Sequence, residues 1–157
     1  MRFLCDEMLV RLARLLRAAG YDTVLAEGGA ADRTLRDLAR AEGRILVTRD
    51  RDLARLTAPA SVLITAPGIE AEARTLSEAL PIAWSLAPFT RCVMDNTPLN
   101  EATPDQIAQM PKESQAMAGP FRACPTCGRL YWPGSHAKRI AARLERLAGV
   151  ERSGGAD

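Results

Sequence analysis

The chain has 157 residues and a mass of 17.0 kDa, with 47% apolar residues, 25% charged residues and a formal net charge of +2. This is the composition of an ordinary globular protein, so it argues against an intrinsically disordered chain, and so small a net charge does not by itself indicate a nucleic-acid partner. No apolar run approaches the roughly 18 residues of a membrane span, and charges at Asp6 and Glu7 interrupt the apolar segment that a signal peptide needs.

Strands and helices are predicted to alternate through about residue 80. The predicted strands are the apolar runs RFLC (2–5), YDTVLA (21–26), RILVT (44–48) and SVLIT (61–65). Amphipathic helices are predicted to start near Asp6, Asp32, Asp50 and Ile69. This alternation predicts an α/β fold, with an open, mainly parallel sheet covered by helices on both faces.

Local signals predict where these helices begin and end. Asp6 and Asp32 precede helical patterns and are expected to be N-caps, while Gly20 and Gly43 are expected to stop the first two helices. The first helix is expected to turn Met8, Leu9, Leu12, Leu15, Leu16 and Ala19 towards the core.

Aspartates follow the strands at positions where chemistry is possible. Asp6 follows the first strand, Asp50 follows the third with Asp52 close behind, and Asp32 opens the second helix. Parallel strands end at one edge of the sheet, so these carboxylates are expected to meet there. Mg²⁺ or Mn²⁺ would relieve their mutual repulsion. Alternatively, each aspartate only caps a helix, and the two roles do not exclude one another.

Arginines accompany these acids. Arg49 and Arg51 flank Asp50 and would suit a polyanionic substrate. The simpler interpretation places such arginines on the solvated face of a helix.

The composition changes near Ala87. Most of the ten prolines and three of the four cysteines lie beyond it. We therefore predict a first domain over residues 1–87, a second over 88–150 that ends in a helix, and a flexible tail over 151–157.

The cysteines of the second section have the spacing of a metal site. Cys124 and Cys127 form a CxxC knuckle followed by Gly128, and Cys92 is followed three residues later by Asp95. We expect a cytoplasmic, reducing location, where cysteines are thiols or metal ligands rather than disulfides. Three outcomes stay open: zinc with Asp95 as the fourth ligand, zinc with His136 instead, or a metal-free site held by aromatic packing.

The closing segment SHAKRIAARLERLAG predicts an amphipathic helix. Ile140, Leu144 and Leu147 are expected to face inward. Its basic residues form a candidate nucleic-acid surface, with Lys138, Arg139 and Arg143 as the main contacts.

Four segments in this order resemble the Mut-seven C-terminal RNase domain family, a branch of PIN-like nucleases with a zinc ribbon. They are FLCDEMLVRLARLLRAAGYDT, AEGRILVTRDRDL, RCVMDNTPL and CPTCGRLYWPGSH. The resemblance implies a PIN-like α/β domain and a small zinc-ribbon-like domain. By position it implies Asp6, Asp32 and Asp50, with Asp52 less closely matched, as Mg²⁺- or Mn²⁺-binding catalytic acids. Cys92, Cys124 and Cys127 match three zinc ligands, and Asp95 stands where the family has a fourth cysteine.

The leading hypothesis is therefore a metal-dependent ribonuclease acting on RNA. The principal alternative is a non-catalytic RNA- or ribosome-binding module in which the acids only cap helices. A third is a protein-partner module, such as half of a toxin–antitoxin pair. A protein partner and the oligomeric state stay open.

Overall fold

A computed structural model describes residues 1–153 of the chain, with side chains described as far as residue 149. The first half alternates strands and helices. The strands are β1 (Arg2–Cys5), β2 (Asp22–Leu25), β3 (Ile45–Thr48) and β4 (Ser61–Leu63). The helices are α1 (Val10–Ala18), α2 (Asp32–Glu42), α3 (Arg51–Thr57) and α4 (Ile69–Ala79). The predicted alternation is confirmed.

The four strands form one parallel sheet in the order β2-β1-β3-β4. Side chains alternate between its faces, as strand geometry requires. Phe3 and Cys5 belong to a core cluster built with α1 and α4, whereas Leu4 and Leu46 belong to a second cluster built with α2 and α3. Helices therefore cover both faces, and the predicted α/β architecture is confirmed.

The second half carries short elements around a small antiparallel sheet. Its strands run in the order β5 (Asn100–Glu101), β6 (Arg122–Ala123), β7 (Leu130–Tyr131). Its helices are α5 (Pro104–Ala108), α6 (Lys112–Gln115) and the long α7 (Ser135–Ser153). Of the predicted tail, residues 154–157 lie outside the described residues.

The long closing helix packs against the first sheet's helices. Leu144 and Leu147 are buried in the same core cluster as α1 and α4, and Ile140 packs against that cluster. The inward face predicted for this helix is confirmed. The division at Ala87 stays a prediction, and α7 contributes to the core of the first section.

Two local predictions were wrong. The first helix does not run unbroken from Asp6, because Glu7–Leu9 form a 3₁₀ turn before α1. The tighter turn rotates Met8 off the apolar stripe of α1 and leaves it 68% exposed. Asp32 is not the N-cap of α2 either: Ala31 holds that position without a side-chain hydrogen bond, and Asp32 is the first helical residue.

Within residues 1–153, no helix is both long enough and apolar enough to span a membrane.

Candidate functional site

Asp6 and Asp50 both lie at the carboxyl edge of the parallel sheet and are linked through Thr48. β1 and β3 are neighbours in the sheet, and the Asp6 N–H donates to the Val47 carbonyl at 2.9 Å. The Thr48 hydroxyl donates to Asp6 Oδ2 at 2.8 Å and accepts from the Asp50 N–H at 3.0 Å. Thr48 is fully buried, so this bridge fixes the positions of the two strand ends relative to each other.

The two aspartates differ in exposure and in the use of their oxygens. Asp6 is 9% exposed and also accepts from the Glu7 N–H at 2.7 Å. Asp50 caps α3 as predicted, since its Oδ1 accepts from the N–H groups of Asp52 and Leu53 at 2.7 and 3.0 Å. Asp50 is exposed, and its second oxygen accepts no hydrogen bond from the described side chains or backbone, so it is available to a ligand.

The other acids near this edge or predicted to reach it have different surroundings. Asp52 is 83% exposed and pairs with Arg55 on the surface of α3 at 2.9 Å. Asp32 is exposed in the first turn of α2. Glu7 Oε2 accepts from the Gly29 N–H at 3.0 Å, which ties the loop after β2 to the acidic edge.

These acids do not form a compact cluster. Among residues 1–149, the one group of three or more histidine, cysteine or acidic side chains with all ligand atoms within 4.8 Å is Cys92, Asp95, Cys124 and Cys127. The structure therefore brings together the four residues predicted as zinc ligands.

The cluster is built from two backbone turns of the same form. In the first, the Asn96 N–H donates to the Cys92 carbonyl at 2.9 Å. In the second, the Gly128 N–H donates to the Cys124 carbonyl at 2.9 Å. Asn96 and Gly128 have φ of 72° and 71°, the left-handed region that Gly and Asn tolerate best. Asp95 thus occupies in its turn the place that Cys127 occupies in the other.

The distances within the cluster suit a tetrahedral ion. Cys92 Sγ and Cys127 Sγ are 3.7 Å apart, close to the roughly 3.8 Å edge of a tetrahedron with metal–sulfur bonds of about 2.3 Å. Asp95 Oδ2 lies 3.3 Å from Cys124 Sγ. Three sulfurs and a carboxylate form a donor set that can hold a metal ion.

Electrostatics favour a cation here. Burial opposes ionisation of Asp95, but the Thr97 N–H and the neighbouring thiols hold the pKa of its carboxyl well below the usual range. A hydrogen bond with the Arg129 backbone lowers the pKa of the Cys127 thiol. The neighbouring Asp95 carboxylate acts in the opposite direction, and the pKa rises to about 12. The Asp95 carboxylate stays negative and disfavours a second negative charge on Cys127 in the metal-free cluster. A bound cation would offset that repulsion and stabilise the thiolates that ligate it.

His136 is not part of this group. It lies in the first turn of α7, with its side chain exposed to solvent and to the grooves beside that helix. The tyrosine hydroxyl of Tyr131 contacts the cluster instead, 3.1 Å from Cys92 Sγ and from the Val93 N–H.

Two polar side chains attach the Cys92–Asp95 turn to the parallel sheet. Arg17 is 5% exposed and donates to the carbonyls of Val93 and Met94 at 3.0 and 2.7 Å, and to that of Thr23 at 2.8 Å. Asn96 accepts from the Thr23 N–H at 2.9 Å and donates to Asp22 at 2.7 Å. The turn therefore completes the edge of β2.

The basic residues predicted to contact nucleic acid differ in whether neighbouring carboxylates already bind them. Arg49 is tied to Glu72 at 2.6 Å and to the Ala66 carbonyl, and Arg143 is tied to Glu70 at 2.8 Å. Arg51, Lys138 and Arg139 are exposed.

Sequence reasoning missed the roles of Thr48, Arg17 and Asn96, and it considered Tyr131 only as an aromatic packing residue of a metal-free site. Thr48 stands directly before the Arg-Asp pair, and Asn96 stands in the place of Gly128, so both had a weak sequence signal. Arg17 looks like any other arginine of an amphipathic helix, and only its burial reveals its role.

Comparison with known proteins gives one match. The family model described as "Mut7-C RNAse domain" matches residues 1–144 of the chain. No curated protein and no solved structure matches it.

Proposed function

Because the chain belongs to the Mut7-C RNAse domain family, we propose that it is a metal-dependent ribonuclease that hydrolyses RNA phosphodiester bonds. We assign Asp6 and Asp50 to its acidic site, and Asp32, which is exposed in the first turn of α2, as a third acid. The observation that carries the proposal is the buried Thr48 bridge between Asp6 and the backbone of Asp50. On this view the parallel sheet is PIN-like.

The donor chemistry at this edge fits Mg²⁺ or Mn²⁺, which prefer carboxylate oxygens. Both Asp6 oxygens accept one protein hydrogen bond each, and carboxylate oxygens retain further lone pairs. Asp50 directs one oxygen to the helix cap and keeps the other for a ligand. When bound, such an ion would supply a water of lowered pKa and stabilise charge on the leaving oxygen.

The protein's own contribution is to orient these acids. Thr48 fixes the rotamer of Asp6, and the first turn of α3 fixes that of Asp50. The chain's one histidine, His136, lies on α7, which argues against a histidine-driven mechanism. Asp52 pairs with Arg55 on the surface, so we leave it out of the site.

We propose zinc in the Cys92–Asp95–Cys124–Cys127 cluster, with a structural role in a zinc-ribbon-like domain. Three thiolates and one carboxylate complete four ligands, as closed structural zinc sites have. Thiolate ligands suit a reducing compartment such as the cytoplasm.

The test is cleavage of labelled single-stranded RNAs with added Mg²⁺ or Mn²⁺ by wild type, Asp50→Asn and Asp52→Asn. Asparagine caps helices as well as aspartate does, so Asp50→Asn removes the charge and retains the cap. We expect cleavage to need added Mg²⁺ or Mn²⁺, to vanish in Asp50→Asn and to persist in Asp52→Asn. Metal add-back is preferable to chelation alone, because a chelator would also strip the cysteine cluster.

One observation favours the alternative, a non-catalytic RNA-binding module. Asp6 and Asp50 both cap helical turns, and neither joins a compact metal-binding group. If wild type with verified zinc content cleaves no RNA of a varied panel, or if Asp50→Asn cleaves as well as wild type, the nuclease proposal is wrong and the binding module replaces it.

A further inference from the structure

A groove lined by arginines runs between α1, β7 and the first turns of α7. Its volume is about 530 Å³. Arg11 and Arg14 line it from α1, Arg129 from the residue before β7, and Arg143 from α7. No aspartate or glutamate is among its lining residues.

Three of these arginines are free to bind an anion. Arg11, Arg14 and Arg129 are exposed, and within residues 1–149 none of them forms an ion pair with a carboxylate. Arg143 differs, because Glu70 neutralises it from outside the groove at 2.8 Å. The groove is therefore strongly positive on a chain whose net charge is only +2.

Aromatic surface lies beside this charge. Trp132 and Tyr131 line the groove, and Trp132 is half-buried. A row of cations next to an aromatic face is the combination that binds single-stranded nucleic acid, because cations pair with phosphates while unpaired bases stack on the ring.

The groove also points towards the acidic edge. α1 starts at that edge, because it follows β1 through the turn at Asp6. Arg11 is the second residue of α1 and follows Asp6 after only the short 3₁₀ turn Glu7–Leu9. Arg14 lies one turn further from the edge.

We propose that this groove binds a single-stranded segment of RNA and leads it to the acidic edge. Arg11, Arg14 and Arg129 hold successive phosphates, and Trp132 stacks on an unpaired base. The cleavage of the bound strand rests on the proposed ribonuclease function, whereas the binding does not.

Binding is measured by anisotropy of a labelled single-stranded RNA in the Asp50→Asn background, in which RNA stays intact if the acids are catalytic. The test variant is Arg11→Gln with Arg14→Gln. The charge-matched control is Arg33→Gln with Arg40→Gln, two exposed arginines on α2. Loss of two phosphate contacts should reduce the slope of log K against log salt by about 1.4, which corresponds to about 25-fold weaker binding at 0.1 M salt.

Tryptophan fluorescence tests the stacking contact independently. The chain has two tryptophans, of which Trp84 is fully buried and Trp132 lines the groove. RNA should quench part of the emission of the parent protein. The quench should disappear in Trp132→Leu, with Trp84 as the unquenched reference, and affinity should fall about tenfold.

The outcomes separate the two proposals. Weakened binding in the groove variant alone, with quenching through Trp132, supports the groove even if wild type cleaves nothing. Equal affinity of the groove variant and the control would overturn it. So would duplex RNA or polyglutamate that binds as tightly as the single strand, because the groove would then be a general polyanion surface.

Discussion

The replacement Arg17→Met tests how the cysteine cluster depends on the first section of the chain. Arg17 is 5% exposed and supplies three hydrogen bonds to backbone carbonyls, two of them on the turn that presents Cys92 and Asp95. Methionine fills much of the same space but donates nothing, so three carbonyls lose their donor.

The magnitude follows from these contacts. A hydrogen bond from a charged donor contributes about 1.5–3 kcal/mol, and neighbouring bonds are not additive. Removing the buried guanidinium also relieves its desolvation. We therefore expect the free energy of unfolding to fall by about 3–5 kcal/mol, a large share of the roughly 5–15 kcal/mol of a typical domain.

Urea unfolding of the zinc-loaded protein measures this loss in the free energy of unfolding. With a slope of about 2 kcal/mol per molar, the midpoint should fall by about 1.5–2.5 M at an unchanged slope. Arg14→Met, on the exposed face of the same helix, is the control and should change stability by less than about 0.5 kcal/mol.

A second readout distinguishes loss of the turn from general destabilisation. Because Arg17 supports the segment between two of the proposed zinc ligands, Arg17→Met should weaken zinc binding by about 10–100-fold, as loss of outer-sphere partners does at metal sites. Competition with a coloured chelator measures it. A cost below about 1 kcal/mol, or unchanged zinc affinity, would refute the claim that Arg17 supports the cluster.

Three further predictions follow. Thr48→Val removes the donor to Asp6, so cleavage should fall about 10–100-fold with little change in KM; equal rates would show that Asp6 needs no such support. Asp95→Cys should tighten zinc binding and raise Tm, whereas Asp95→Ala should weaken zinc binding. The same chelator competition ranks wild type and the two variants by zinc affinity. An Asp95→Ala protein that binds zinc like wild type would exclude Asp95 as a ligand. Burial opposes ionisation of Asp22, but hydrogen bonds from Arg44 and Asn96 lower its pKa overall. The ionised Asp22 therefore stabilises the fold above its unfolded-state pKa of about 3.9, and this contribution is lost as pH falls through the folded-state pKa. Acid unfolding should accordingly be less steep in Asp22→Asn below about pH 4, and an identical acid limb in both proteins would count against this linkage.

The alternating apolar runs, read from the sequence, predicted the strands and helices of the first section because their signals are local. Periodicity identified β3 between Gly43 and the charged segment, and Gly43 ends α2 in the left-handed conformation that glycine favours. Asp50 caps α3 for an equally local reason. The CxxC spacing and Asp95 predicted the four residues of the cluster, because each of its two turns spans only a few residues.

The helix start at Asp6 was only partly predictable. Aspartate favours an N-cap whether a 3₁₀ turn or an α-helix follows. The placement of Met8 depends on that choice, and the apolar spacing did not decide it.

Tertiary structure alone decided which distant segments meet. The order β2-β1-β3-β4 places Thr48 against Asp6 across 42 residues of sequence, and Thr48 in turn accepts from the Asp50 N–H. Arg17 reaches Val93 across 76 residues, and the choice of Asp95 over His136 at the cluster depends on how α7 lies against the core. Backbone patterns act within a few residues, whereas buried polar groups must find partners wherever packing brings them. The sequence alone therefore determined the elements and the kinds of chemistry, and packing decided which side chains share a site.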